Sequence, residues 1–436
     1  MAYDIIVGRD TADKEKFGDK GLIYIGKGYV KMGQYTSLSN KIWMDIARSH
    51  VILISGKRGS GKSYTLGAIA EELSNLPPDS ARNIASLIFD TMGIFWTMKY
   101  ENEKEKELLD SWQLKPKKLP VKVFIPLGKI KDYEARSIPF DKTFALKISE
   151  LEAEDWITLF NLNLTSLEGV IIERIISELK EKSDSFTMDM IDKEIEKDDR
   201  SGKETKEVVS ALFKAASTWG IFSSSEEGTE ISDLVNPGTT TVLDISVYSS
   251  IGAFNIRALV ISLISRKLFK TRLDARKKEE IEAIQHGQDY LSYNSSRSEP
   301  LVWIFIDEAH EFMPREGKTP ATDALMQLLR EGRQPGISLV LATQQPAQIH
   351  RDVMTQSDLI ISHRVTSKSD IEALNEIMQT YLLKNIKQQM DDLPSLKGSA
   401  ILLDDNSERI YPIKVRPRFT WHGGESPAAI KADVKI

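Results

Sequence analysis

The 436-residue chain contains no cysteine. Disulfides, thiolate catalysis, iron–sulfur clusters and cysteine-ligated zinc are therefore excluded. The absence fits a reducing cytoplasm, which is the compartment expected. No run approaches the roughly 20 apolar residues that a membrane-crossing helix needs, so no integral membrane association is expected. The start, Met1-Ala2-Tyr3-Asp4, lacks the basic-then-apolar order of a signal peptide. An excess of positive charge is missing as well. There are 58 Lys+Arg against 64 Asp+Glu, a formal net charge of -6. Any contact with nucleic acid must then be local, in a pore or groove. None of the six histidines falls in an H-E-x-x-H spacing, so no zinc site is expected.

Hydrophobic residues at 41% allow a sizeable core. Short continuous apolar runs recur at 51–54, 87–89, 121–125, 241–245, 302–306, 338–341, 359–361 and 400–403. Without clean alternation, each reads as a strand buried on both faces, and the helical stretches between them point to a doubly wound α/β sheet. Residues 1–45 carry short apolar patches split by glycines (21–26 and 28–30), read as small strands of a barrel-like cap. Residues 150–235 read as a mainly helical insertion, with Ser149 and Glu152 as a capping box. The α/β core would then occupy 46–149 and 236–415, leaving 416–436 as a tail. The polar stretch 277–300 reads as a surface loop.

After the apolar run 51–54 and Ser55 comes Gly56-Lys57-Arg58-Gly59-Ser60-Gly61-Lys62-Ser63, which has the form G-x-x-x-x-G-K-[ST], and a helical pattern starts at Tyr64. Gly56, Gly59, Ser60 and Gly61 let backbone N–H groups curl round a phosphate, and the helix aims its positive end at the same anion. Lys62 would reach the β- and γ-phosphates of ATP, and the Ser63 hydroxyl would ligate Mg2+. The run ending at Ile306 delivers Asp307-Glu308-Ala309-His310. Asp307 is assigned to Mg2+ and Glu308 to activating the attacking water; a helix-start pair of acids is the other reading. His310 either senses the nucleotide or packs, and packing is the expectation.

A further helix is expected from Pro320, with Thr319 as N-cap, ending near Glu331-Gly332-Arg333-Gln334-Pro335-Gly336. The next strand ends in Thr343-Gln344-Gln345-Pro346. Gln344, with Gln345 close behind, is the expected γ-phosphate or water sensor. Arg333 is the candidate arginine finger, or else an arginine meeting the helix dipole. If it cannot reach its own nucleotide, it must act in a neighbouring subunit.

These residues resemble a family. The loop 55–63 preceded by His50, the run 305–312, and the Gly-Arg-Gln-Pro-Gly and Thr-Gln-Gln pair are similar to the HerA branch of the HerA–FtsK ATPases. The long span between Lys62 and Asp307 is similar to that branch too. The resemblance implies a RecA-like P-loop sheet, an N-terminal β-barrel and a homo-hexameric ring moving double-stranded DNA through its pore. It also implies a nuclease partner of the NurA type or another effector. Carried over, Lys62, Ser63 and Tyr64 fall in the nucleotide loop, Asp307 and Glu308 match the acids, Gln344 the sensor and Arg333 the trans-acting arginine. Two departures stand out. The N-terminal region is short for a barrel, and 88–96 lacks the acidic–aromatic ending of many relatives. DNA contacts are sought in 129–136, in the polar stretch before Leu301, and in Lys267, Lys270, Arg272, Arg276, Lys277 and Lys278, a cluster for which a solvated helix face is the leading reading. Two other readings are a regulatory ATPase serving a defence or signalling effector, and a peripheral motor of the VirB4 type.

Overall fold

A computed structural model describes residues 4–424 apart from 33–34, 224–227, 250–253, 286–298, 379–389, 391 and 395. Among them the strands are β1 (Ile5–Val7), β2 (Leu22–Met32), β3 (Tyr35–Asp45), β4 (Val51–Ser55), β5 (Ile84–Asp90), β6 (Val121–Pro126), β7 (Lys142–Phe144), β8 (Thr240–Asp244), β9 (Leu301–Ile306), β10 (Ile337–Thr343), β11 (Leu359–His363), β12 (Ser399–Asp404) and β13 (Arg409–Val415). They form one sheet in the order β1-β3-β2-β13-β12-β11-β4-β10-β9-β5-β8-β6-β7. From β11 to β7 every pairing is parallel. β12, β13 and β2 then add antiparallel neighbours.

The parallel strands are apolar along their length because both faces are covered. β4 shows how. Val51 and Leu53 face one apolar cluster, with the long helix Phe254–Gln285 and the insertion helices. Ile52 and Ile54 face the other, with Leu66, Ile69 and Leu73 of the helix Lys62–Ser74. A one-residue slip of β4 would exchange these two sets, so its register is firmly set.

The helices Ala153–Leu159, Leu167–Lys182, Met188–Lys197 and Lys203–Ser217 pack around the fully buried Trp156. Its ring lies 4.9 Å from Phe213 and 5.3 Å from Phe222. The capping box here is formed by Glu152 and Asp155, not Ser149 and Glu152. The downstream helix likewise begins at Thr322, because Thr319 spends its hydroxyl on the Phe312 carbonyl and the Ala321 amide.

Two further expectations change. The patches 21–26 and 28–30 belong to one 11-residue strand, β2, with irregular register on either side of Gly26–Lys27. β1, β3 and β2 extend the main sheet through β13, and no ladder among the described residues closes them into a barrel. The expected loop 277–300 is helical as far as Gln285; most of the rest lies outside the described residues.

Residues 416–424 fold back across the helix Lys62–Ser74. The wholly buried Glu71 carboxylate accepts from Arg418 Nε (2.8 Å), Arg416 Nη1 (3.2 Å), and the amides of Phe419 (2.8 Å) and Thr420 (3.0 Å). Burial would raise its pKa, but Arg418 and Arg416 outweigh this and hold it below the usual range. The stabilisation is therefore present at neutral pH and fades as pH falls through that lowered pKa. Glu71→Ala leaves the buried Arg418 guanidinium without its acid and Arg416 with Glu72 alone (2.8 Å), so about 3–5 kcal/mol of stability should be lost. Thermal and denaturant unfolding check this; a loss below about 1 kcal/mol would show that the two arginines find other partners.

Candidate nucleotide site

The phosphate loop leaves the carboxyl end of β4 and turns into the helix Lys62–Ser74. Gly56 has φ +152, and a Cβ there would meet Ser60 Oγ at 2.5 Å and His363 Cβ at 2.7 Å, so only glycine fits. Gly61, at φ +116, caps the helix in the left-handed region with no side-chain hydrogen bond. The first N–H groups are thus left without a side-chain acceptor, as an anion site requires. Lys62 is buried, and its Nζ donates to the Lys57 carbonyl at 3.4 Å, across the mouth of the loop.

β10 lies between β4 and β9, so the loop, the acids and the glutamines emerge side by side at the carboxyl ends of three adjacent strands. Such an edge is where open α/β sheets bind ligands. Ser63 Oγ donates to Asp307 Oδ2 at 2.5 Å, and Asp307 Oδ1 accepts the Glu308 amide at 2.9 Å. Burial raises the Asp307 pKa. Glu308 has φ 51 and ψ 43, a left-handed conformation that is costly for a side chain with a Cβ and is found at sites under functional constraint. Its Oε2 is buried and has no hydrogen-bond partner among the described residues. Burial, then the charge of Asp307, pushes its pKa up to about 7.

The Gln344 backbone amide faces the Glu308 carboxylate. It is Gln345 whose side chain approaches His310, with Nε2 to Nε2 at 3.4 Å. His310 does more than pack. Its Nδ1 lies 3.1 Å from Thr343 Oγ1 and 3.6 Å from Glu308 Oε2, so it ties the end of β9 to the end of β10. Burial lowers its pKa, which favours the neutral ring. Tyr64 turns away from the loop: its hydroxyl donates to Glu105 at 2.8 Å and accepts the Arg418 amide at 2.7 Å.

One supporting residue was missed from sequence. His363 ends β11, directly beside β4. Its Nδ1 meets the Ser399 carbonyl at 3.0 Å, so Nε2 is the acceptor for Thr65 Oγ1 at 2.9 Å. Burial pushes its pKa down to about 4. A neutral ring thus backs the loop without adding charge. No motif marks it; only strand adjacency does.

Arg333 sits at the opposite edge of the sheet. Its Nη2 lies 3.2 Å from the Gln356 carbonyl and 3.4 Å from Asp358 Oδ1. The Asp358 amide bonds the carbonyl of Val51, the first residue of β4. The loop leaves β4 five residues later, roughly 17 Å away at about 3.3 Å per residue. The structure therefore joins the loop, Asp307, Glu308 and the Gln344 backbone, and leaves Arg333 apart.

In 88–96 the strand-end acid serves its own turn. Asp90 accepts the amides of Met92, Gly93, Ile94 and Phe95 at 2.7–3.2 Å. The basic cluster is partly committed: Lys267 pairs with Glu150 at 2.7 Å, Arg276 with Glu280, and buried Arg272 binds the carbonyls of Pro335 and Glu299. Lys131 and Arg136 are exposed.

A parallel sheet with a glycine loop, lysine and serine at one strand end and an acidic pair two strands away defines a P-loop nucleoside-triphosphatase fold. The family model described as "Helicase HerA, central domain" matches residues 30–268, more than half of the chain, and the chain belongs to that family. A model described as "Zonular occludens toxin (Zot)" matches 253–368. The chain is similar to the DNA double-strand break repair helicase HerA of Pyrococcus furiosus, 26% identical over 184 residues. That match covers 39% of this chain and 31% of the relative. It is also similar to a probable helicase of Methanocaldococcus jannaschii, 29% identical, covering 35% of this chain and 29% of that one. The matched stretches thus span about a third of these relatives. Among solved structures, VirB4 of Thermoanaerobacter pseudethanolicus shares the fold, with TM-score 0.52, 13% identity, and coverage of 92% of this chain and 98% of that one. No helix among the described residues is long and apolar enough to cross a membrane.

Proposed function

We propose that the chain is the ATPase core of a motor that moves double-stranded DNA, working as a homo-hexameric ring and serving DNA-end processing with a nuclease partner. The observation that carries this reading is the contact of Ser63 with Asp307, beside the buried Glu308 carboxylate, over a phosphate loop in a chain of the HerA family. Lys62 binds the β- and γ-phosphates. Ser63 and Asp307 are hard oxygen donors that fit Mg2+, which would neutralise phosphate charge between them. Glu308 accepts the proton of the attacking water, oriented by the Gln344 segment and by His310.

Arg333 completes the site from the next subunit, because its own loop lies at the far end of β4. Arg333→Ala should bind ATP with near wild-type affinity yet lose about 10²-fold or more in turnover. Titrating it into wild-type protein should poison mixed rings more than in proportion. Full turnover by the variant would remove Arg333 from catalysis.

With a net charge of -6, DNA contact is confined to a few cations lining the pore, and Lys131, Arg136, Lys270, Lys277 and Lys278 are the exposed candidates. Phosphate release should rise on adding linear duplex, and the rise should shrink steeply between about 50 and 200 mM salt. Turnover indifferent to duplex at both salt concentrations would favour a regulatory ATPase instead.

A further inference from the structure

His50 stands immediately before β4, at the end of that strand opposite the phosphate loop, and the turnover steps leave it without a role. It is buried, and each ring nitrogen meets a carboxylate. Nδ1 lies 2.6 Å from Asp358 Oδ2, and Nε2 lies 3.1 Å from Asp45 Oδ2. A ring held between two acids donates from both nitrogens and is an imidazolium. Burial alone would lower its pKa, but the charge of Asp358, with the bonds to Asp358 and Asp45, pushes it up to about 9.

Both acids are anchored in their turn. Asp45 ends β3 and accepts Arg9 Nε at 2.6 Å, while the same guanidinium holds the carbonyls of Lys20 and Gly21. Asp358 precedes β11, and its Oδ1 accepts the Val51 amide at 2.8 Å. Arg333 Nη2 lies 3.4 Å from that same Oδ1. Arg9, Asp45, His50, Asp358 and Arg333 thus alternate in sign from the N-terminal strands to the surface, the first four buried and Arg333 exposed. A long side chain at a surface spreads over many rotamers unless something fixes its tip. Here the tip meets a carboxylate that cannot move, because the Val51 amide and the His50 ring hold both its oxygens. His50 also balances the charge of Asp358, so the acid orients the guanidinium across 3.4 Å without binding it too tightly to meet a phosphate.

We propose that Asp358, braced by His50, is the positioning residue that aims Arg333 at the nucleotide of the neighbouring subunit. The inference rests on Arg333 acting in that subunit, and the test separates the two. ATP turnover and calorimetric ATP binding are measured on the full chain carrying Asp358→Asn, His50→Gln or Arg333→Ala, and on each of the first two combined with Arg333→Ala. Asp358→Asn and His50→Gln should each lower kcat about tenfold, as misplacement of a catalytic group does, and leave ATP affinity within about twofold of wild type. In the Arg333→Ala background neither should lower kcat further, because there is no guanidinium left to aim. A structural role would instead weaken ATP binding and add its loss to that of Arg333→Ala. Unchanged kcat in both single variants, losses that multiply in the double variants, or loss of ATP binding in both single variants overturns the positioning role while the arginine finger stands. Full turnover by Arg333→Ala overturns the finger and the positioning role together.

Discussion

Lys62→Ala is expected to lower ATP turnover to below about 1% of wild type and to weaken ATP binding by at least tenfold. The ammonium is buried inside the loop, and its charge-assisted contact is worth about 1.5–3 kcal/mol in the ground state. It counts for more against the charge of the transferring phosphoryl group, where loss of one such donor costs 10²–10³ in rate. Phosphate release and calorimetric binding read the two effects separately. The fold should persist, because the lysine makes one long contact, to the Lys57 carbonyl, and the helix Lys62–Ser74 is held by Glu71 from the other side. Retention of half the turnover would mean that the loop does not bind the reacting phosphates.

Glu308→Gln should act differently. The amide keeps the shape of the side chain and removes the base, so turnover should fall about 10²–10⁴-fold while ATP remains bound and accumulates on the protein. The same substitution should leave the protein at least as stable at neutral pH. A carboxyl whose folded pKa stands near 7, above its unfolded value, costs stability as pH rises from about 4.5 to 7. Glutamine removes that cost, and the φ of 51 is unaffected. A variant that turns over ATP normally, or one that melts several degrees lower at pH 7.5, would show that Glu308 is held by structure rather than poised for chemistry.

The parts of this molecule that could be read in the sequence are those where one local pattern has one cause. β4, β9 and β10 are buried on both faces, so their residues are apolar without a break. The phosphate loop is legible because glycine at Gly56 and Gly61 answers a backbone need met in few other ways. β13 was not legible, since its burial alternates irregularly and Pro412 interrupts it. The capping box shifted because Ser149, Glu152 and Asp155 stand at the same spacing, and packing around Trp156 chose between them. Arg416 and Arg418 looked like the start of a polar tail; their partner, Glu71, lies some 345 residues earlier. Long-range acceptors such as these leave no local trace, and the same holds for His363 behind the loop and for Arg272 under the helix ending at Glu331.

The seat of the triphosphate is the claim on which every functional step depends. A crystal structure of the chain with Mg2+ and a non-hydrolysable ATP analogue tests it most directly. The terminal phosphate should lie against Lys62 and Ser63, facing Asp307 and Glu308, with Lys62 Nζ released from the Lys57 carbonyl. A nucleotide bound elsewhere, or a loop still closed on that carbonyl at saturating analogue, would contradict the account.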